Sequence, residues 1–196
     1  MAKKNRSGTK KKIVSAAWRL FYLHGYDDTT IEEIIEESGT SRGSFYHYFE
    51  GKDGLLGSLA YLFDDKYEEL EEVLPSGGAM EKLLFLNYEL FKMIEESIDI
   101  DLLTRLYSTQ LVTKGEKHLL DHNRVYYRLL RRIVSEGQQS GELTSDKSTA
   151  ELVRIYAMCE RALIYDWCLV GGNYPLAENA RNIMPGLLGS FEKMSI

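Results

Sequence analysis

Long apolar runs are missing from this sequence. No stretch approaches the ~18 residues that a bilayer-spanning helix needs, so no membrane span is expected. The basic start is not followed by an apolar segment of the signal-peptide kind, and a cytoplasmic location is expected. Proline is scarce, at 3 residues, so few positions forbid a helix. Strand-like alternation is scarce as well, whereas helical spacing recurs almost everywhere, and the chain reads as all-α. Cysteine is limited to Cys159 and Cys168, with no CxxC or Cys/His set of zinc spacing. Two reduced thiols fit that pattern. No Ser/His/Asp order, glycine-rich phosphate loop or paired-carboxylate site stands out, so neither an enzyme nor a cofactor is expected. His118 and His122 stand at i and i+4 with Asp121 beside them, but no further ligand type is near. They read as surface residues, and no metal site is expected.

Excess positive charge is also missing overall, since the formal net charge is −6. Its distribution is uneven. Residues 1–52 hold nine Lys/Arg and seven Asp/Glu, which gives +2; the remainder holds 15 basic and 23 acidic residues, which gives −8. Lys3, Lys4, Arg6, Lys10, Lys11 and Lys12 precede any acid. A basic arm on an acidic chain is a local electrostatic footprint for nucleic acid that the global charge conceals.

What is present is helical punctuation. Residues 1–9 are polar and are expected to be a disordered basic arm, either reaching a DNA groove or backbone or simply solvated. A first helix is expected from Lys10 to His24, with Ile13, Ala16, Ala17, Leu20 and Phe21 as its apolar stripe and Gly25 as its stop. Thr29 or Thr30 caps a second helix that buries Ile31, Ile34 and Ile35, with Glu32 or Glu33 completing a capping box. Gly39 ends it. Ser41 caps a third helix that buries Phe45 and Phe49. A fourth is expected from Lys52–Asp53 to Leu74, before the linker Pro75-Ser76-Gly77-Gly78. Further helical patterns cover about 79–97, 100–112, 116–140, 147–170 and 176–194.

Two short helices joined by a tight glycine-containing turn, the second with an exposed polar face, form the layout of a DNA-binding helix-turn-helix. The candidate DNA-binding set is Thr30, Ser41, Arg42, Gly43, Ser44, Tyr46, His47 and Lys52. Arg42 can bond guanine O6 and N7 together through its planar fork. Gly43 removes a side chain where backbone must approach the groove. Ser44 can contact a base edge or a phosphate, and Tyr46 and His47 suit phosphates. Tyr48 either joins the exposed set or packs inside the three-helix unit. Thr30 and Lys52 sit at helix N-termini, where free N–H groups favour an anion.

Over Ile13 to Lys52 the chain resembles the TetR family of bacterial transcriptional regulators. The shared features are His24-Gly25-Tyr26, Thr29-Thr30-Ile31, Gly39-Thr40-Ser41 with Gly43, and Tyr46-His47-Tyr48-Phe49 followed by Lys52 and Leu55. Ser38 and Thr40 depart from the small apolar residues usual around the turn, and Glu32, Glu33, Glu36 and Glu37 make the second helix acidic. The resemblance implies phosphate contacts for Thr30 and Lys52. It divides the chain into the arm (1–9), a helix-turn-helix domain (10–52) and a larger helical ligand-binding and dimerisation domain (53–196). In the last part only the helix count and the segment Glu136-Gly137-Gln138 to Gly141-Glu142 are similar.

The expected function is a homodimeric regulator that grips a pseudo-palindromic operator in double-stranded DNA. A repressor released by a small, mostly apolar effector is the form expected, with ligand shifting the fourth helix. A candidate ligand-binding set is Tyr88, Phe91, Tyr107, Tyr127, Tyr156 and Cys159, because aromatic walls supply area and hydroxyls fix orientation. The apolar stripe expected to pair two copies includes Leu152, Ile155, Tyr156, Leu163, Trp167, Ile183, Leu187, Leu188 and Phe191. The alternatives are a constitutive DNA-binding or adaptor protein without a ligand, and a small helical enzyme.

Overall fold

The structure, a computed structural model, describes residues 2–112 and 117–192. Among these residues the chain is helical, and a single isolated bridge joins Leu143 and Glu192. The helices are α1 (Ala2–His24), α2 (Ile31–Ser38), α3 (Arg42–Tyr48), α4 (Lys52–Leu56), α5 (Leu59–Glu72), α6 (Ala79–Ser97), α7 (Ile100–Val112), α8 (Val125–Ser140), α9 (Thr149–Leu169) and α10 (Leu176–Leu187). Short 3-10 turns occupy His118–Leu120 and Gly189–Phe191.

Three boundaries differ from the sequence reading. Helix α1 starts at Ala2 and runs through the basic segment, whose only strong helix breaker is Gly8. The expected long fourth helix is interrupted after Leu56, where the Ser58 hydroxyl bonds back to the Leu55 carbonyl. The helix expected from about 116 begins only at Val125, because Asp121 turns the chain by accepting the Asn123 N–H at 2.9 Å.

The chain forms two compact units, residues 1–60 with 101–119 and residues 61–100 with 120–196. The first is built on α1. Its core gathers Ile13, Ala17, Phe21, Ile34, Phe45 and Leu55. The sequence places α7 with the larger half, yet Leu102 of α7 sits in this first core. Arg105 of α7 pairs with Asp27 and stacks 5.1 Å from the centre of the Tyr26 ring. Both ties are side-chain events that helical spacing does not reveal.

The second unit packs α6, α8, α9, α10 and most of α5 around Leu83, Phe91, Leu130, Ile133, Tyr156 and Met184, all buried. Close approach of α8 to the start of α6 requires Gly137. A Cβ there would lie 2.5 Å from the Ala79 Cβ and 2.8 Å from Leu143. Glu142, just beyond α8, accepts the N–H groups of Ala79 at 2.6 Å and Met80 at 2.9 Å, and so caps α6 from a distance.

Candidate nucleic-acid interface

Local chemistry fixes α2 and α3 before any long-range packing. Thr30 caps α2, and its side chain accepts the Glu33 N–H at 3.2 Å. The Glu33 carboxylate returns the favour by accepting the Thr30 N–H at 2.7 Å and its hydroxyl at 2.8 Å. These two bonds hold the exposed Glu33 carboxyl below its ordinary value, because they favour the charged form. The turn needs Gly39 in the left-handed region, at φ 59° and ψ 32°. Ser38 and Thr40, the two departures from apolar turn residues, satisfy one another with oxygens 2.8 Å apart. Ser41 then caps α3 by accepting the Ser44 N–H at 3.1 Å.

Helix α3 buries Phe45 and Phe49 and turns the rest outward. Ser41, Arg42, Gly43, Tyr46 and His47 are exposed, and Ser44 is half-buried. These residues form one contiguous polar face. Tyr48 is not part of it, since it packs against the core of the first unit. A Cβ at Gly43 would meet only the Ser41 hydroxyl, at 3.9 Å. The fold itself therefore does not require glycine at this position.

Three of the four acids of α2 meet partners within the unit. Glu32 lies 3.1 Å from the Arg42 guanidinium, Glu37 pairs with Arg19, and Glu33 serves the cap. Arg42 also lies 5.7 Å over the Tyr46 ring. Lys52 points its ammonium at the carbonyls of Tyr26 (2.8 Å) and Asp27 (3.1 Å) and sits 4.7 Å above the Tyr26 ring. The Tyr26 hydroxyl donates to Asp53 at 2.6 Å. Burial first, and that bond second, push the Tyr26 hydroxyl well above its ordinary range. Tyr26 is thus the joint of the unit, tied to α4 by Lys52 and Asp53 and to α7 by Arg105. The sequence singled out Lys52 but not this joint; His24-Gly25-Tyr26 was its only signal.

Of the candidate ligand residues, Tyr107 belongs to the first unit and is half-buried. The other five lie in the second. Phe91, Tyr127 and Tyr156 are buried, and Cys159 is half-buried. Tyr88 is half-buried and gives its hydroxyl to Glu178 of α10 at 3.0 Å. Sequence spacing alone could not place the polar centre of this unit. Glu160 is 3% exposed, and it accepts the Tyr126 hydroxyl at 2.6 Å and the Asn87 amide at 3.1 Å. Among the described residues, no group of three or more His, Cys, Asp or Glu could hold a metal ion. No helix among them is long and apolar enough to cross a membrane.

A capped helix, a left-handed glycine turn and a second capped helix with an exposed polar face define a helix-turn-helix DNA-binding protein. Residues 13–59 match the family described as "Bacterial regulatory proteins, tetR family". Over this segment the chain is similar to the tetR family of transcriptional regulators. Among its relatives is the HTH-type transcriptional repressor KstR2 of Rhodococcus jostii (strain RHA1). It is 25% identical over 148 residues, covering 72% of this chain and 71% of the relative. Among solved structures, Thermus thermophilus FadR in complex with lauroyl-CoA has a TM-score of 0.72 at 21% identity, covering 95% of this chain and 96% of that one. Bacillus subtilis FadR in complex with stearoyl-CoA has a TM-score of 0.69 at 21% identity, covering 93% and 100%. At that identity the two structures establish the all-α fold, a helix-turn-helix followed by a helical bundle.

Proposed function

We propose that this protein is a repressor that binds operator DNA as a homodimer and leaves it when a small, mostly apolar molecule enters the second unit. The observation that carries the DNA half is the polar face of α3, where Arg42, Gly43, Ser44, Tyr46 and His47 stand clear of the core. Arg42 reads a base, Gly43 leaves room for backbone to enter the groove, and Thr30, Ser41 and Lys52 meet phosphates. Lys52 must exchange two carbonyls for a phosphate oxygen, a move within reach of its flexible stem.

A homodimer is favoured by the outer faces of α9 and α10. Met158, Tyr165, Leu169, Ile183 and Leu187 are large apolar residues left exposed. Met158, Tyr165 and Leu169 recur along one side of α9, and Ile183 and Leu187 along one side of α10. Soluble chains rarely leave such stripes bare, and pairing two copies through four helices covers them. Two heads then grip a pseudo-palindrome, with half-sites one helical turn or somewhat more apart. An aromatic-rich second unit supports an apolar effector, and the acyl-CoA complexes of the two FadR proteins make acyl thioesters the first set to test. By linkage, an effector that weakens DNA binding is itself weakened by DNA to the same factor. Selection of bound sequences from random DNA, followed by titration with acyl thioesters, tests this reading. A palindromic motif released by ligand supports it; no sequence preference would refute it.

A further inference from the structure

Two carboxylates are buried in the second unit, and among the described residues only one of them lies in an ion pair. Asp64 of α5 lies 3.1 Å from the Arg124 guanidinium, with both side chains nearly covered. Its other oxygen accepts the Tyr126 N–H at 3.3 Å. Glu160, in the middle of α9, receives neutral donors instead, the Tyr126 hydroxyl from α8 and the Asn87 amide from α6. Tyr156, one turn earlier on α9, donates its hydroxyl to the Leu83 carbonyl at 2.8 Å. Arg161 follows Glu160 in sequence; its guanidinium reaches the Tyr127 hydroxyl, at 3.4 Å, and its charge acts on Glu160 only from beyond ion-pair distance. Among the described residues no ion pair closes on Glu160.

Neutral donors recover only part of what a carboxylate loses on leaving water, and a carboxylate offers about four acceptor positions. Burial accordingly pushes the Glu160 carboxyl upward, against the pull of its hydrogen bonds. Aromatic rings cluster around Tyr126, which meets Glu160 through its hydroxyl. Tyr67 and Tyr126 have centroids 4.9 Å apart, and Tyr126 and Tyr127 are 4.7 Å apart.

We propose that Glu160, held by Tyr126 and Asn87, is the polar anchor for the effector, and that the effector is a mostly apolar molecule carrying one basic nitrogen. This rests on the reading that the second unit binds a small molecule. The ammonium group supplies the direct ion pair that no described residue forms with Glu160. Where the carboxyl holds a proton before binding, that proton passes from its oxygen to the entering amine, and the same ion pair results. A carboxylic acid would bring a second negative charge to the same place, and an alcohol only one more neutral hydrogen bond.

The test uses the full chain and three probes of one shape: 4-phenylbutylamine, 4-phenylbutanol and 4-phenylbutyrate. Affinities are measured by calorimetry, with lauroyl-CoA as a fourth probe and retention of selected DNA as a parallel readout. The amine should bind at least tenfold tighter than the alcohol, and the acid least. Glu160→Gln keeps the shape and a hydrogen-bonding amide but not the charge, and it should remove that preference while still binding DNA. The ranking on the unaltered protein stands by itself if the variant folds poorly. Equal affinity for amine and alcohol, an unchanged preference in Glu160→Gln, or no binding of the amine would overturn the inference. If lauroyl-CoA alone binds and releases DNA, the inference fails and the ligand-responsive reading survives. If the amine binds through Glu160 but DNA is retained, the cation site stands and the regulatory reading fails.

Discussion

Arg42 stands free of the core but not free of partners, since Glu32 lies 3.1 Å away and both side chains are about two-thirds exposed. Such a pair contributes roughly 0–1 kcal/mol, so a guanine can replace it. Arg42→Ala should weaken binding to the selected motif by ~1–3 kcal/mol and relax preference at one base per half-site. Glu32→Ala should act in the opposite direction, because it frees Arg42 and removes a negative charge. Gel-shift titrations on selected and random DNA distinguish the two; equal losses on both DNAs for Arg42→Ala would remove its role as base reader. Glu160 gives a second test at this scale. Its ordinary value is 4.5, and burial raises it in the folded protein. As pH rises from 4.5, the unfolded chain ionises first, so folding loses stability until the folded carboxyl has also ionised. Glu160→Gln never ionises. It should therefore be more stable than the unaltered protein at neutral pH, with the gap closing as the solution is acidified toward 4.5. Urea melts across that range check it, and a gap independent of pH would show that the charge is not what burial opposes.

At the scale of elements, the caps were legible because they are local. Thr30 with Glu33 and Ser148 with Glu151 both form complete capping boxes. The sequence offered the first pair beside Thr29 with Glu32, between which the structure chooses, and left the second unremarked, although it has the same spacing. The long-range cap of α6 by Glu142 was not legible, since 63 residues separate the carboxylate from the Ala79 N–H. Gly137 and Glu142 work at the same junction in different ways. Gly137→Ala should destabilise the fold by ~1–3 kcal/mol through overpacking against Ala79 and Leu143. Glu142→Ala should cost about 1 kcal/mol by leaving two helix N–H groups without their carboxylate. Thermal melts of both variants decide; a neutral Gly137→Ala would mean that α8 and α6 can move apart without loss.

For the whole molecule, assembly is the property that binding to a palindrome demands. The outward stripe differs from the one expected. Leu152, Tyr156, Trp167, Leu188 and Phe191 are buried within the chain's own core, whereas Ile183 and Leu187 are exposed as anticipated. Ile155 and Leu163 lie between those extremes. Met158, Tyr165 and Leu169 take the outward places on α9. The double variant Tyr165→Glu with Leu169→Glu should yield a folded monomer that binds a single half-site weakly. Light scattering at micromolar concentration reads the mass, and circular dichroism confirms the fold. A dimer that survives both charges would place the contact elsewhere.

Helix existence, the glycine turn and the polar face of α3 were determined by the sequence alone, because each depends on residues within about one or two turns of one another. So was the assignment of Phe45 and Phe49 to the core, four positions apart on a short helix. Which side of α9 faces inward was not, since that helix carries apolar residues on both sides and only packing against α6, α8 and α10 chooses between them. The same limit explains α7, whose Leu102 and Arg105 join the first unit through residues brought near by the fold. It explains Glu160 too. In sequence Glu160 is one charged residue beside Arg161; only the tertiary structure turns Arg161 to a tyrosine and brings Tyr126 and Asn87, 34 and 73 residues distant, to the carboxylate.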